Sequence, residues 1–137
     1  MKLQYTLSRI QYGRYVESAF FGNFYPATLH EAHTGIWESV RTAHCLGYQR
    51  VLLDWSRTNI YPGIFNLYEI TMLLSRKFSR ENFRLVSLIP YKGVSPEYAK
   101  KTSGNNEIEI RRFYKRENAV HWLIQNLWGM ENTDTFY

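Results

Sequence analysis

Residues spaced for chemistry are few in this chain. His30-Glu31-Ala32-His33 sets two imidazoles three residues apart with a carboxylate between them, a partial set of zinc ligands. A metalloprotease helix needs histidines four apart with the glutamate after the first. The ligand set here is also incomplete for a structural zinc ion. His33 and His44 fall on the apolar side of the same segment, so neutral histidines hydrogen-bonded within the core are the expectation. Cys45 has no histidine beside it and reads as a small buried thiol near a helix end. Glu31, Glu38 and Glu69 are separated along helical patterns and form no acid–base pair. No GxSxG, Walker A or GxGxxG pattern occurs. Neither a catalytic centre nor a metal or cofactor is expected.

Asp54 is the remaining acidic candidate. It closes the apolar run Val51-Leu52-Leu53, and a carboxylate at a strand end either positions a ligand or caps its own turn. With no convergent partner it is read chiefly as a cap. The stronger signal is aromatic. Trp55, Tyr61 and Phe65 follow this run, and Tyr91 follows the next one beyond Pro90. In a parallel sheet both groups emerge at the carboxyl edge, where open α/β sheets place ligands. There the rings could line one apolar pocket, with Arg57 and Lys92 as a cationic rim. Rings that merely cover the sheet end would read the same way, and both readings stay open.

These residues need a framework to position them. Leu3, Tyr5 and Leu7 alternate with polar residues, Gln11-Tyr12-Gly13 supplies a turn, and YVESAFF follows; the pattern predicts an antiparallel hairpin. After a loop over Gly22–Pro26, Thr28-x-x-Glu31 has capping-box spacing. Leu29, Ala32, His33, Ile36, Trp37, Val40, Ala43 and His44 then repeat at helical intervals up to a stop at Gly47. Arg50 to Asp54 reads as a strand buried on both faces. A second helix is expected from near Gly63 to about Arg80, a second buried strand over Arg84–Ile89, and a short helix from Ser95-Pro96-Glu97 to about Lys101. Glu107–Phe113 reads as an edge-like strand. Lys115–Leu127 reads as the last helix, followed by a polar tail from about residue 128 to Tyr137 that is frayed or folded back.

Strands alternating with helices predict a layered α/β domain. Its mostly parallel sheet has about five strands, an N-terminal antiparallel hairpin and four helices. The 137 residues fit one domain. Hydrophobic residues make up 45%, enough for a core, and 23 aromatic rings serve either that core or a binding surface. The net charge of +5 comes from scattered Lys and Arg without a nucleic-acid-binding motif. A single cysteine excludes an internal disulfide and fits a reducing compartment. No apolar run is of membrane-spanning length and the N-terminus is too polar for a signal peptide, so a cytoplasmic protein is expected. Abundant rings also make a homodimer plausible.

Two stretches resemble a known family. RVLLDWSRTN is similar to the central segment of STAS domains, the anti-sigma-factor-antagonist fold. RRFYKRENAVHWLIQ looks like the closing strand and helix of a bacterial STAS-like (SpoIIAA-like) group related to lipid-carrying CRAL-TRIO, or Sec14-type, domains, with Ala119-Val120-His121-Trp122-Leu123 as Ala-x-x-Trp-Leu. The resemblance implies a non-enzymatic module that binds a small, often apolar or amphipathic ligand, or a regulatory protein partner. In phosphorylated antagonists a Ser or Thr acceptor precedes a glycine at the next helix start. Here Asn59-Ile60-Tyr61-Pro62-Gly63 keeps the glycine but puts Tyr and Pro where the acceptor belongs, which weakens a phosphoswitch. Under the protein-partner alternative the binding surface would be Ser56, Thr58, Tyr61 and Ile64.

Overall fold

The structure is a computed structural model that describes residues 2–60, 83–89, 98–103 and 106–125, with side chains excluded for 98–103 and 106–108. The expected second helix and the tail lie outside these residues, as do Tyr61, Ile64, Phe65, Tyr91 and Lys92. The described elements are β1 (Gln4–Ile10), β2 (Tyr15–Phe24), α1 (Leu29–Cys45), β3 (Arg50–Ile60), β4 (Phe83–Leu88), β5 (Tyr98–Ser103), β6 (Asn106–Phe113) and α2 (Arg116–Ile124). A single 3₁₀ turn over Pro26–Thr28 leads into α1.

The strands form one six-stranded sheet in the order β1-β2-β3-β4-β6-β5. The predicted hairpin is present, with Gln4 opposite Phe21 and Ile10 opposite Tyr15. The centre, β2-β3-β4-β6, is parallel, and the β5–β6 pair is antiparallel. Residue alternation divides the core into two layers. Val16, Phe20, Val51, Leu53, Trp55 and Leu85 pack with Ile36 and Val40 of α1, whereas Tyr15, Leu52 and Val86 pack with Ala119 and Leu123 of α2. Val51-Leu52-Leu53 is therefore buried on both sides, as the unbroken apolar run requires.

Small residues set the helix–sheet distance. A Cβ at Gly35 would come within 2.5 Å of the Phe20 ring, so glycine lets that ring lie against α1. The nearby Ser18 and Ser39 hydroxyls, both fully buried, hydrogen-bond each other, and Ser39 Oγ donates to Gly35 O at 2.6 Å. Gly47, at φ +77°, ends α1. Its N–H donates to His44 O at 3.0 Å and the Tyr48 N–H to Ala43 O at 2.8 Å, the Schellman arrangement. At the far end of α2, Arg50 Nε donates to Leu123 O and Arg84 Nη1 to Trp122 O and Gln125 O, at 2.8–2.9 Å. Neighbouring strands thus aim two cations at carbonyls that the helix leaves free.

Several expectations are corrected. Residues 98–101 belong to β5, and the Ser103↔Asn106 pairing leaves Gly104-Asn105 between the strands, a two-residue hairpin signal. Because β5 is the edge, β6 is internal, and the sheet has six strands. Two α-helices lie among the described residues, against the four expected over the whole chain. β2 runs to Phe24, through part of the expected loop. β3 continues to Ile60 instead of ending at Asp54. The apolar stripe of α1 is narrower than predicted: Ala32, Gly35, Ile36, Ser39, Val40 and Ala43 fill it. His30 and His44 are consequently exposed, His33 is half-buried, and Cys45 is an exposed thiol. The expected buried histidines and buried cysteine are therefore not found.

Candidate functional site

The extension of β3 changes the setting of Asp54. Ala19 pairs with Asp54 but Phe21 pairs with Arg57, so β3 carries an extra residue and bulges. The bulge lets both Trp55 and Thr58 turn inward while Ser56 and Arg57 are exposed. Local side chains replace the lost ladder bonds. The Ser56 N–H donates to Asp54 Oδ1 at 2.9 Å, and Thr58 Oγ1 donates to Trp55 O at 2.6 Å. Asp54 thus takes the capping role, and among the described residues of the partner-binding alternative Ser56 is exposed and Thr58 is buried.

Trp55 has no exposed surface. Its ring stacks on Phe20 at 4.0 Å and on Phe24 at 5.0 Å, and its Nε1–H donates to Ser87 Oγ at 3.4 Å. The ring is part of the α1-side core, not the wall of an open pocket. Arg57 is exposed beside it. The parallel strands β2, β3, β4 and β6 also follow one another in a single direction. Among the described strands there is no reversal of order to open the crevice expected at a carboxyl edge.

On the α2 side, Asp54 meets residues that its sequence neighbours do not suggest. Arg116, the first residue of α2, donates from Nη2 to Glu17 Oε1 at 2.5 Å and places Nη1 3.8 Å from Asp54 Oδ2. The guanidinium is about half exposed, so the bridge contributes at most about 1 kcal/mol. Burial and the Glu17 carboxylate push the Tyr15 hydroxyl above its ordinary range, with Arg116 partly opposing them. A tyrosine held neutral by the fold stabilises it fully below the unfolded value of about 10 and loses that contribution as pH rises through the higher folded value. Urea unfolding from neutral to alkaline pH should therefore show stability falling above about pH 10. Tyr15→Phe should fall less steeply, and an identical slope would remove the assignment.

An open site lies elsewhere, beside the carboxyl end of β2. There the first residues of β1 and the first turns of α1 border a groove of about 610 Å³, lined by Leu3, Gln4, Tyr5, Thr6, Phe21, His30, Glu31 and Thr34. Backbone geometry places its strand wall. Gly22 has φ +114°, and a Cβ there would stand 2.0 Å from Lys2 O, so glycine permits β1 to start directly against β2. Leu3 is buried and the Tyr5 ring leans on Phe20 at 5.5 Å.

The acidic side of the groove follows from the 3₁₀ turn. In the predicted capping box Glu31 would accept the Thr28 N–H, but that N–H donates to Tyr25 O at 2.8 Å. The Thr28 hydroxyl is likewise engaged, donating to Asn23 O at 2.7 Å and accepting from the Tyr25 N–H at 3.2 Å. The expected reciprocal cap is absent. Glu31 Oε1 is shielded from water with no hydrogen-bond partner among the described residues.

Of the residues singled out in sequence for ligand binding, Asp54, Trp55 and Arg57 lie along β3 and are not among those lining this groove; the rest lie outside the described residues. The signals that could have found it were the Pro26-Ala27-Thr28 turn ahead of Glu31 and the Gly22 contact, which only strand pairing brings to Lys2.

The fold and site thus define an α/β domain with a mixed sheet between two helical layers and an amphipathic groove beside its N-terminal hairpin. No described helix is long and apolar enough to cross a membrane. No protein-family model, curated protein or solved structure matches the chain.

Proposed function

We propose that this chain is a non-catalytic binding module that holds a small amphipathic ligand in the groove between β1 and α1. The groove itself carries the reading: about 610 Å³ is within the range of small-molecule sites, and Leu3, Tyr5 and Phe21 give it apolar walls with a few polar groups at one side. The STAS-like resemblance, with its lipid-carrying relatives, favours the same class of function. The seat proposed is the mouth of the hairpin; Trp55, one of the rings expected to line a pocket after β3, is committed to the core.

Native mass spectrometry of the purified protein, before and after solvent extraction, tests the proposal. A small molecule bound one to one and lost on extraction is the expected result. A bare chain that also takes up no added 1-octanol would count decisively against a binding module.

A further inference from the structure

We infer that β1 is an interface for a second copy of this chain, the two β1 strands pairing antiparallel about a two-fold axis at Leu7 so that two sheets join edge to edge. The inference is independent of the groove reading. β1 stands at one end of the strand order and, among the described residues, pairs with β2 alone. The outer side of such a strand offers a row of N–H and C=O groups to another strand. Gln4, Thr6, Leu7, Ser8 and Arg9 are exposed, so the fold leaves most of β1 uncovered. Sheet edges are ordinarily guarded by charge, proline or a bulge. The opposite edge, β5, follows that rule with Lys100 and Lys101. In β1 there is no proline, and the register runs from Gln4↔Phe21 to Ile10↔Tyr15 without a shift. Its single charged residue, Arg9, is drawn inward, with Nε donating to Tyr48 Oη at 3.3 Å.

The strand is complementary to itself. Its midpoint is Leu7, an apolar side chain 40% exposed. Residues directly opposite in an antiparallel pair share a face. Full overlap of Gln4–Ile10 with the same segment of a second copy therefore sets Leu7 against Leu7, Thr6 against Ser8, Tyr5 against Arg9 and Gln4 against Ile10. Tyr5 belongs to the α1 layer and Ile10 to the α2 layer. The two leucines thus cover each other on the α1 side, and hydroxyls meet hydroxyls on the α2 side. Pairs of these kinds favour strand association, whereas like charges directly opposite oppose it; here Arg9 never faces its own copy. Sliding the register by two residues either way separates the leucines and shortens the ladder. Each copy supplies both an open edge and the strand that fits it, as a two-fold interface requires.

Sedimentation velocity of the full chain over a dilution series, with ¹⁵N backbone-amide spectra of the same samples, tests the interface. One strand pair is a small contact, so a dimer with Kd of about 10–100 µM is expected. Amide shifts that change with concentration should be concentrated at Gln4–Ile10. Leu7→Lys places two cations opposite each other at the axis and should weaken association at least about 10-fold. Because Leu7 is partly exposed, its unfolding midpoint should barely change. A chain that stays monomeric throughout, its edge left to solvent or to a foreign strand, would overturn the inference. A dimer whose shifts lie away from Gln4–Ile10, or one that Leu7→Lys leaves intact, would overturn it equally. The dilution series on the unmodified protein decides the matter even if the variant fails to fold. No ligand is used, so failure of the groove reading and failure of the interface are separate results.

Discussion

Trp55→Ala is expected to lower the unfolding free energy by about 3–5 kcal/mol, the range for truncating a fully buried large aromatic. Trp55 has 0% exposure, lies between Phe20 and Phe24 in two stacked contacts, and donates to a serine that is itself fully buried. Its removal would leave a cavity and cut the link between β2, β3 and β4. Trp55→Phe keeps much of the stack but orphans the Ser87 hydroxyl, and should cost about 1–3 kcal/mol. Urea unfolding of both variants gives the measurement. A change below about 1 kcal/mol for the alanine variant, combined with lost ligand binding, would instead make Trp55 a pocket wall.

Gly22→Ala is the second large effect. The backbone there has φ +114°, and the new Cβ would collide with a carbonyl, with Lys2 O at 2.0 Å and Lys2 C at 2.9 Å. A left-handed backbone costs a non-glycine residue about 1–2 kcal/mol, and the overlap adds about 1–3 kcal/mol. The expected loss is therefore about 2–5 kcal/mol. Strain can be relieved by lifting the start of β1 away from β2, which would spread Leu3 and Tyr5 from the groove. The variant should accordingly bind amphipathic ligands more weakly even where it remains folded. Unchanged denaturation midpoint and unchanged affinity would mean that β1 does not approach Gly22 this closely.

Much of the architecture was readable from the residues. The alternation at Leu3–Leu7 and the turn at Gln11-Tyr12-Gly13 marked the hairpin, and Gly47 marked the end of α1. The unbroken triplet Val51-Leu52-Leu53 marked a strand buried on both faces. Leu3–Leu7 marked a strand, and because that strand, β1, is a sheet edge it leaves Leu7 exposed.

The errors share a physical origin in long-range pairing. Lys100 and Lys101 have no strand-like hydrophobic pattern, yet β6 recruits their segment as an edge, where charged residues are tolerated. Asp54 looked like a strand end because the unbroken apolar run stops there, whereas pairing with β2 carries β3 through a bulge to Ile60. The groove was hidden for a related reason: its walls are about 25 residues apart in sequence and meet only because β1 pairs with β2 and α1 crosses back over both. Glu31 was noticed, but the capping box would have occupied its carboxylate, and only the 3₁₀ turn shows it left over.

The location of the binding site is tested most directly by following the backbone amides of ¹⁵N-labelled protein by NMR during titration with 1-octanol. The groove predicts saturable shifts concentrated at Leu3–Thr6, Phe21 and His30–Thr34. Shifts centred on Asp54–Thr58, or none anywhere, would contradict it.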